Sequence, residues 1–371
     1  MSVERCTQVA VLTPKGRGAV AVIAVAGPSA SSAVGHYFLA ANGRALVEQA
    51  IGRIVFGRWG QVDGEEVVIC RRTVDVVEVH CHGGVVASAA IVDDLRESGC
   101  RLIEWSDYLA DVEADPISVA ARRALADVTT ERTAAILLDQ YRGATRAAIA
   151  EIERLAGSSE VHDRCRAQQL TEELLARASL GRHLTAPWRV VIAGQPNVGK
   201  SSLINALLGY ERAIVVDTPG TTRDVVTALT AFDGWPVELA DTAGLRATSD
   251  LVEAAGVERA RVQIADADLI LLVFDVSASW SSADEALVEC FPAALVVHNK
   301  IDLAEASGSR PAGLRVSATT WQGLAELERA IVTQLVPDPP RPGDAVPFAR
   351  DQVETLQALQ ARLDINSAVQ P

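Results

Sequence analysis

The apolar run Val190-Val191-Ile192-Ala193 leads directly into Gly194-Gln195-Pro196-Asn197-Val198-Gly199-Lys200-Ser201. This is the Gly-x-x-x-x-Gly-Lys-Ser pattern in the setting it requires, a strand entering a helix. Backbone N–H groups of such a turn face phosphate oxygens, and the helix beginning there adds its positive dipole end. Lys200 is placed to reach the β- and γ-phosphates, and the Ser201 hydroxyl to ligate Mg²⁺. Val198, Gly199 and Ser202 belong to the same cradle. A chance glycine-rich turn would not need the strand before it.

A second apolar run, Leu295-Val296-Val297, precedes Asn299-Lys300-Ile301-Asp302. An Asn-Lys-x-Asp turn after a strand suits guanine, whose edge presents two adjacent N–H donors to one carboxylate. Adenine offers no such pair, and a site built on those donors rejects the wrong base strongly. Upstream, Asp241-Thr242-Ala243-Gly244 closes the run Val237-Glu238-Leu239-Ala240. Asp241 is placed to hold Mg²⁺ through water, and the Gly244 N–H to approach the γ-phosphate. Between them lies Gly220-Thr221-Thr222-Arg223-Asp224, whose Thr222 hydroxyl completes the Mg²⁺ shell. Ser317-Ala318-Thr319 supplies the last loop touching the base. The order of these elements is that of a small GTPase domain.

One position departs from the Ras-like scheme, in which a Gln after Asp-x-x-Gly orients the attacking water. Here that position is Leu245, which cannot hydrogen-bond water. Either hydrolysis is poor or another group acts. Glu253 is the nearby candidate, although a downstream carboxylate of this kind is ordinarily a solvated helix charge.

The chain has 371 residues, room for two or three domains. No apolar stretch reaches the length of about 18 residues that reads as membrane-spanning. Met1-Ser2-Val3-Glu4-Arg5 carries no signal-peptide pattern. Cys6, Cys70, Cys81, Cys100, Cys165 and Cys290 are scattered without pairing spacing, which suits a reducing cytoplasm. His80-Cys81-His82 suggests metal at first sight. In a strand, however, the two His share one face and Cys81 faces away, so the structural reading is preferred. A formal charge of −14 argues against a broad basic face for nucleic acid, leaving local patches or delivery by a partner. Arg182, His183 and Arg189 are too few to form such a patch.

The expected architecture is mixed α/β and α: an N-terminal α+β domain (1–112), a helical domain (113–186), an inserted Ras-like P-loop GTPase domain (187–336) and a linker with a returning helix (337–371). Short β-rich runs, such as Val20–Val25 and Val76–Val79, dominate the first part. A helix follows Gly84, with Val86, Ala90, Val92 and Leu95 as its apolar side. Ile136, Leu137, Ile149, Ile152 and Leu155 fit one long amphipathic helix, broken at Gly157-Ser158-Ser159 before another with Val161, Leu170, Leu174 and Leu175. Pro337-Asp338-Pro339-Pro340-Arg341-Pro342-Gly343 reads as a stiff linker. Beyond it, Val353, Leu356, Leu359 and Leu363 give a last helix that packs on the central ones.

With these residues in hand, the chain resembles the bacterial tRNA-modification GTPase family MnmE, also called TrmE. Thr13-Pro14-Lys15-Gly16-Arg17-Gly18-Ala19-Val20 and Asp75-Val76-Val77-Glu78-Val79-His80-Cys81-His82-Gly83-Gly84 are similar to its amino-terminal signatures. Gly194 to Ala260 matches almost continuously. The resemblance implies GTP/GDP, Mg²⁺ and a K⁺ ion. Asn197 would help bind the K⁺, and backbone groups of Val216, Thr218 and Thr221 would complete its site. That ion stands where an arginine finger would, while G domains dimerise across the nucleotides. The family's catalytic Glu falls at Glu253, which accounts for the tolerance of Leu245. The implied partners are a second copy of the chain and a modification protein of the MnmG type.

The departures concern other chemistry. In the family the amino-terminal domain binds 5-formyl-tetrahydrofolate. Its folate-contacting Arg falls at Ala24, its acidic contact at Val74 beside Asp75, and a Lys near Glu113. The family's terminal Cys-x-Gly-Lys has no counterpart, since no Cys follows Cys290 and the sequence ends Asn366-Ser367-Ala368-Val369-Gln370-Pro371. The expectation is a shortened, diverged member with intact GTPase machinery and without folate. Two functions follow: a K⁺-stimulated GTPase of wobble-uridine modification, or a GTP-controlled switch or scaffold that has lost that chemistry.

Overall fold

The computed structural model describes residues 6–14, 18–60, 64–113, 115–210, 227–241 and 266–368. Val216, Thr218, Thr221, Thr222, Thr242, Ala243, Gly244, Leu245 and Glu253 lie outside the described residues. The chain divides into two compact units, Met1–Val119 and Ala120–Pro371.

The first unit is built on a sheet of strands β1 (Gln8–Val11), β2 (Val20–Ala26), β3 (Phe38–Ala40), β4 (Ile54–Trp59), β5 (Glu65–Arg71), β6 (Val76–His82) and β7 (Arg101–Leu102). Their order is β3-β4-β5-β6-β2-β1-β7, antiparallel throughout except for the β1–β7 pair. Alternation along β6 buries Val77, Val79 and Cys81 and turns Glu78, His80 and His82 to the opposite face. His80 faces Glu78 and His82 faces Glu65. The inner face packs on helices Ala30–Tyr37 and Val85–Glu97 through Val34, Ile91, Val92 and Leu95. The apolar side of the second helix differs from the expected one, because Val86 is exposed and Ile91 takes the core position. The opposite face carries a smaller apolar cluster of Ala10 and Ala24 with Tyr108, Leu109 and Val119.

The second unit contains β8 (Trp188–Ala193), β9 (Thr227–Phe232), β10 (Trp235–Asp241), β11 (Leu269–Asp275), β12 (Leu295–Asn299) and β13 (Leu314–Arg315). The order β13-β12-β11-β8-β10-β9 is parallel except for the β9–β10 hairpin. β8 and β11 are apolar runs because helices cover both faces of a parallel sheet. Helices Lys200–Tyr210 and Leu324–Leu335 press Leu203, Leu207, Leu327 and Ile331 onto one face. The core extends into the helical segment through Leu137, Leu180 and Leu184, which meet Trp188, Phe232 and Trp235.

The long helix expected across Ile136–Leu155 is two helices, Glu131–Tyr141 and Ala144–Ala156. Gly143 sits between them at φ +104, a left-handed conformation that ends a helix, and only residues without a Cβ enter it freely. The break serves a buried polar bracket. Gln140 donates to the Asp344 carbonyl at 3.0 Å and accepts from the Val346 N–H at 3.2 Å and the Thr145 hydroxyl at 2.7 Å. The segment after Pro337 is thereby tied to the helices, and Arg177 adds an ion pair to Asp344 at 3.1 Å. The last helix, Arg350–Ala368, then packs Leu356, Leu359 and Leu363 against Ile152, Leu155 and Leu174.

Close approach sets one sharp requirement here. A Cβ on Gly181 would lie 1.8 Å from the Pro347 carbonyl oxygen. Gly181→Ala should therefore displace the returning segment and lower stability by about 1–3 kcal/mol, read as a lower urea midpoint. A midpoint equal to the parent's would show that this segment yields without cost.

Candidate nucleotide-binding site

Strand β8 lies between β10 and β11 and delivers the chain to the loop at Ala193. At Gly194, φ is +153 and a Cβ would stand 2.3 Å from the Val273 carbonyl oxygen, so no larger residue makes this turn. Asn197 at φ +64 and Gly199 at φ +94 then reverse the curvature before the helix starts at Lys200. Left-handed residues of this kind turn successive N–H groups toward one concavity, which is what an anion requires. Gly199 is also packed, with its Cβ position 2.5 Å from the Asn299 amide nitrogen. Lys200 is almost fully buried, and its ammonium donates to the carbonyls of Gly194 at 3.1 Å and Gln195 at 2.9 Å. The cation is thus held at the rim of the same loop. Ser202 follows on the first turn of the helix, exposed.

The Mg²⁺ residues come together through sheet register. Asp241 at the end of β10 pairs with Ile192 on β8, one step before the loop. The Ser201 hydroxyl donates to the buried Asp241 carboxylate at 2.8 Å. A hydroxyl and a carboxylate side by side are hard oxygen donors of the kind Mg²⁺ prefers. They fit the ion that the motif implies.

The residues expected to contact the base gather at the end of β12. Asn299 is 1% exposed. It donates to the Val198 carbonyl at 3.0 Å and accepts from the Ala318 N–H at 3.2 Å, so one amide joins the phosphate loop to the Ser317 turn. Lys300, at φ +67, donates to the Asn197 carbonyl at 2.7 Å. The Asp302 carboxylate accepts from the buried Ser317 hydroxyl at 2.5 Å, and that hydroxyl in turn accepts from the Thr320 N–H at 3.0 Å. Ser317 therefore fixes the Asp302 carboxylate. Thr319 is exposed on the same turn.

Asp275, at the end of β11, is a participant that the sequence reading missed. Its carboxylate meets the Lys300 ammonium at 2.6 Å. Burial pushes this carboxyl upward, but the Lys300 ammonium and the Ser277 hydroxyl and N–H together hold it below the ordinary aspartate value. Its signal was the acidic end of an otherwise apolar strand, Leu269–Asp275.

Residues 189–300 match the family described as a 50S ribosome-binding GTPase, and residues 7–108 match the N-terminus of the GTP-binding protein TrmE. A tRNA modification GTPase MnmE from Synechococcus sp. (strain WH7803) is 35% identical over 367 residues, covering 87% of this chain and 80% of that protein. Its counterpart from Carboxydothermus hydrogenoformans is 32% identical over 387 residues, covering 91% and 84%. That of Lactococcus lactis subsp. cremoris is 32% identical over 366 residues, covering 88% and 80%.

Asp302→Asn replaces one acceptor by a donor where guanine presents two donors. GDP affinity should fall by roughly 10²-fold or more, and xanthosine diphosphate should gain on GDP. Competition titration reads both, and an unchanged order of preference would remove Asp302 from base recognition.

Proposed function

This chain belongs to the MnmE family of tRNA-modification GTPases, and from that premise we propose a K⁺-assisted hydrolysis of GTP that serves tRNA modification. The chain is a GTP-hydrolysing enzyme of that family. The observation that carries the site assignment is the meeting of the buried Lys200 and Asp241 with Ser201 at one loop, with Asn299 fastening the base side to it.

On GTP binding, the Lys200 ammonium leaves the Gly194 and Gln195 carbonyls for the β- and γ-phosphate oxygens. Ser201 and Asp241, with Thr222, would hold Mg²⁺, which would supply charge to bridge and neutralise the phosphate oxygens. Asn197, with backbone groups of Val216, Thr218 and Thr221, holds K⁺. Bound Mg²⁺ and K⁺ offset the charge that develops on the transferred phosphoryl group. Thr242, Ala243 and Gly244 are the proposed γ-phosphate contacts. Glu253 orients the attacking water, because Leu245 has no polar group for that task. Water attacks the γ-phosphorus and the bond to the β-phosphate oxygen breaks, giving GDP and phosphate. A second copy of the chain, docked G domain to G domain, excludes bulk water from the nucleotide. The wobble uridine of tRNA is the proposed object of the cycle, together with an MnmG-type partner. No described helix is long and apolar enough to cross a membrane, and the cytoplasm is the proposed compartment.

Single-turnover hydrolysis tests this reading. The parent should be faster in KCl than in NaCl at equal ionic strength, and Glu253→Ala should bind GTP but hydrolyse it on the order of 10²-fold more slowly. Equal rates in both salts remove the K⁺ assignment. A Glu253→Ala rate within a few-fold of the parent's removes the catalytic one.

One observation favours a second reading, a GTP-controlled switch or scaffold without the folate chemistry. Ala24, where the resemblance places the folate-binding Arg, is fully buried in the apolar cluster with Tyr108 and Leu109. Val74, at the acidic position, is 65% exposed. These residues do not fit 5-formyl-tetrahydrofolate, which needs charged partners for its pterin and glutamate. Calorimetry should show no micromolar binding of it. Micromolar binding would restore the folate-dependent assignment.

A further inference from the structure

Asp275 belongs to none of the nucleotide motifs, yet it stands one bond from them. Its Oδ2 meets the Lys300 ammonium at 2.6 Å, and that ammonium also donates to the Asn197 carbonyl at 2.7 Å. The Asp275 side chain is only 13% exposed and Lys300 30%, so solvent screens the pair partly. The other carboxylate oxygen accepts from the Ser277 N–H at 2.8 Å and the Ser277 hydroxyl at 2.6 Å. The backbone behind it is fixed as well. Arg310 donates to the carbonyls of Asp275 at 3.2 Å and Val276 at 3.0 Å, and also to that of Ala278. The Val276 N–H donates to the Asn299 carbonyl at 3.0 Å.

We infer that Asp275 is a positioning residue for nucleotide retention: it anchors Lys300, and Lys300 holds the crest of the phosphate loop at Asn197. The inference rests on the reading of this loop as the GTP site. A lysine is a flexible point charge and does not choose a direction by itself. Here its head must lie on a backbone carbonyl in the crest, and a fixed carboxylate on its other side sets where it lies. Asn197 sits at φ +64, a left-handed conformation that asparagine adopts more readily than most residues, and its carbonyl is the atom that Lys300 fixes. Release of Lys300 therefore loosens the crest and lets the nucleotide leave sooner. Base choice, which rests on Asp302, is untouched by this brace.

The test is the dissociation rate of a fluorescent GDP analogue from the full-length chain, chased with excess GDP. Asp275→Asn should raise the rate about tenfold, the scale expected for loss of a charge-assisted contact. In a Lys300→Met background the same change should alter it less than about twofold, because the anchor has nothing left to hold. The preference for GDP over xanthosine diphosphate should remain the parent's. Should Asp275→Asn fail to fold, Ser277→Ala loosens the same carboxylate from outside the pocket and should raise the rate at least about twofold, again only where Lys300 is present. A rate unchanged in Asp275→Asn, or raised equally in both backgrounds, overturns the inference. Lys200→Ala separates the two levels. If it abolishes retention while Asp275→Asn changes nothing, only the brace falls. If it retains GDP like the parent, the site reading falls and the inference with it.

Discussion

The nucleotide site depends on a single buried amide. Asn299 lies beneath the phosphate loop and is 1% exposed, so its donor and acceptor have no water to fall back on. Both are satisfied by backbone, the Val198 carbonyl on one side and the Ala318 N–H on the other. Three loops that are far apart in sequence are thereby held in one register. The contact also explains Gly199, since a Cβ there would collide with the amide it rests on. Aspartate could accept from Ala318 but could not donate to Val198, and the two acceptors would repel across a short buried distance.

Around this amide the site is braced by charge, with the less exposed members placed inward. Lys200 donates to loop carbonyls, Lys300 is paired with Asp275, and Asp241 accepts from the Ser201 hydroxyl. Each of these groups is held by contacts that GTP and its metal ions can replace or extend. The loop is therefore shaped for phosphate before phosphate arrives, which reduces the reorganisation that binding requires.

Much of this was legible in the sequence because the motifs are short and each follows an apolar strand. Gly194–Ser201 and Asn299–Asp302 are local patterns, and the sheet brings their strand ends together as that order implies. What escaped was whatever depended on a partner remote in sequence. Asp275 reads as the end of a strand until Lys300 is seen beside it. Ser317 reads as a pocket residue until its hydroxyl is found on Asp302. The apolar spacing of Ile136 to Leu155 could not reveal the turn at Gly143, because helices on both sides keep the same stripe. The turn exists to seat Gln140 and Thr145 against the segment around Val346, about two hundred residues on. Val86 misled in the opposite sense: periodicity counts an apolar residue wherever it falls, but the sheet covers only the later turns of its helix.

The separation of cores has a consequence for how such a chain can diverge. Ala24 packs in a cluster with Ala10, Tyr108, Leu109 and Val119, whereas the phosphate loop rests on a core built from β8, β10, β11 and the helices after Lys200 and Gly323. Among the described residues none is common to the two clusters. Packing changes act over the atoms they touch, and substitutions that share no neighbours add almost independently. A substitution at Ala24 is therefore expected to leave the geometry at Asn299 unaltered. The reverse does not hold within the second unit, where Leu137, Leu180 and Leu184 share one core with Trp188 and Trp235. Sequence change in those helices reaches the strand that carries the phosphate loop, so the GTP site and the helical segment are constrained to change together.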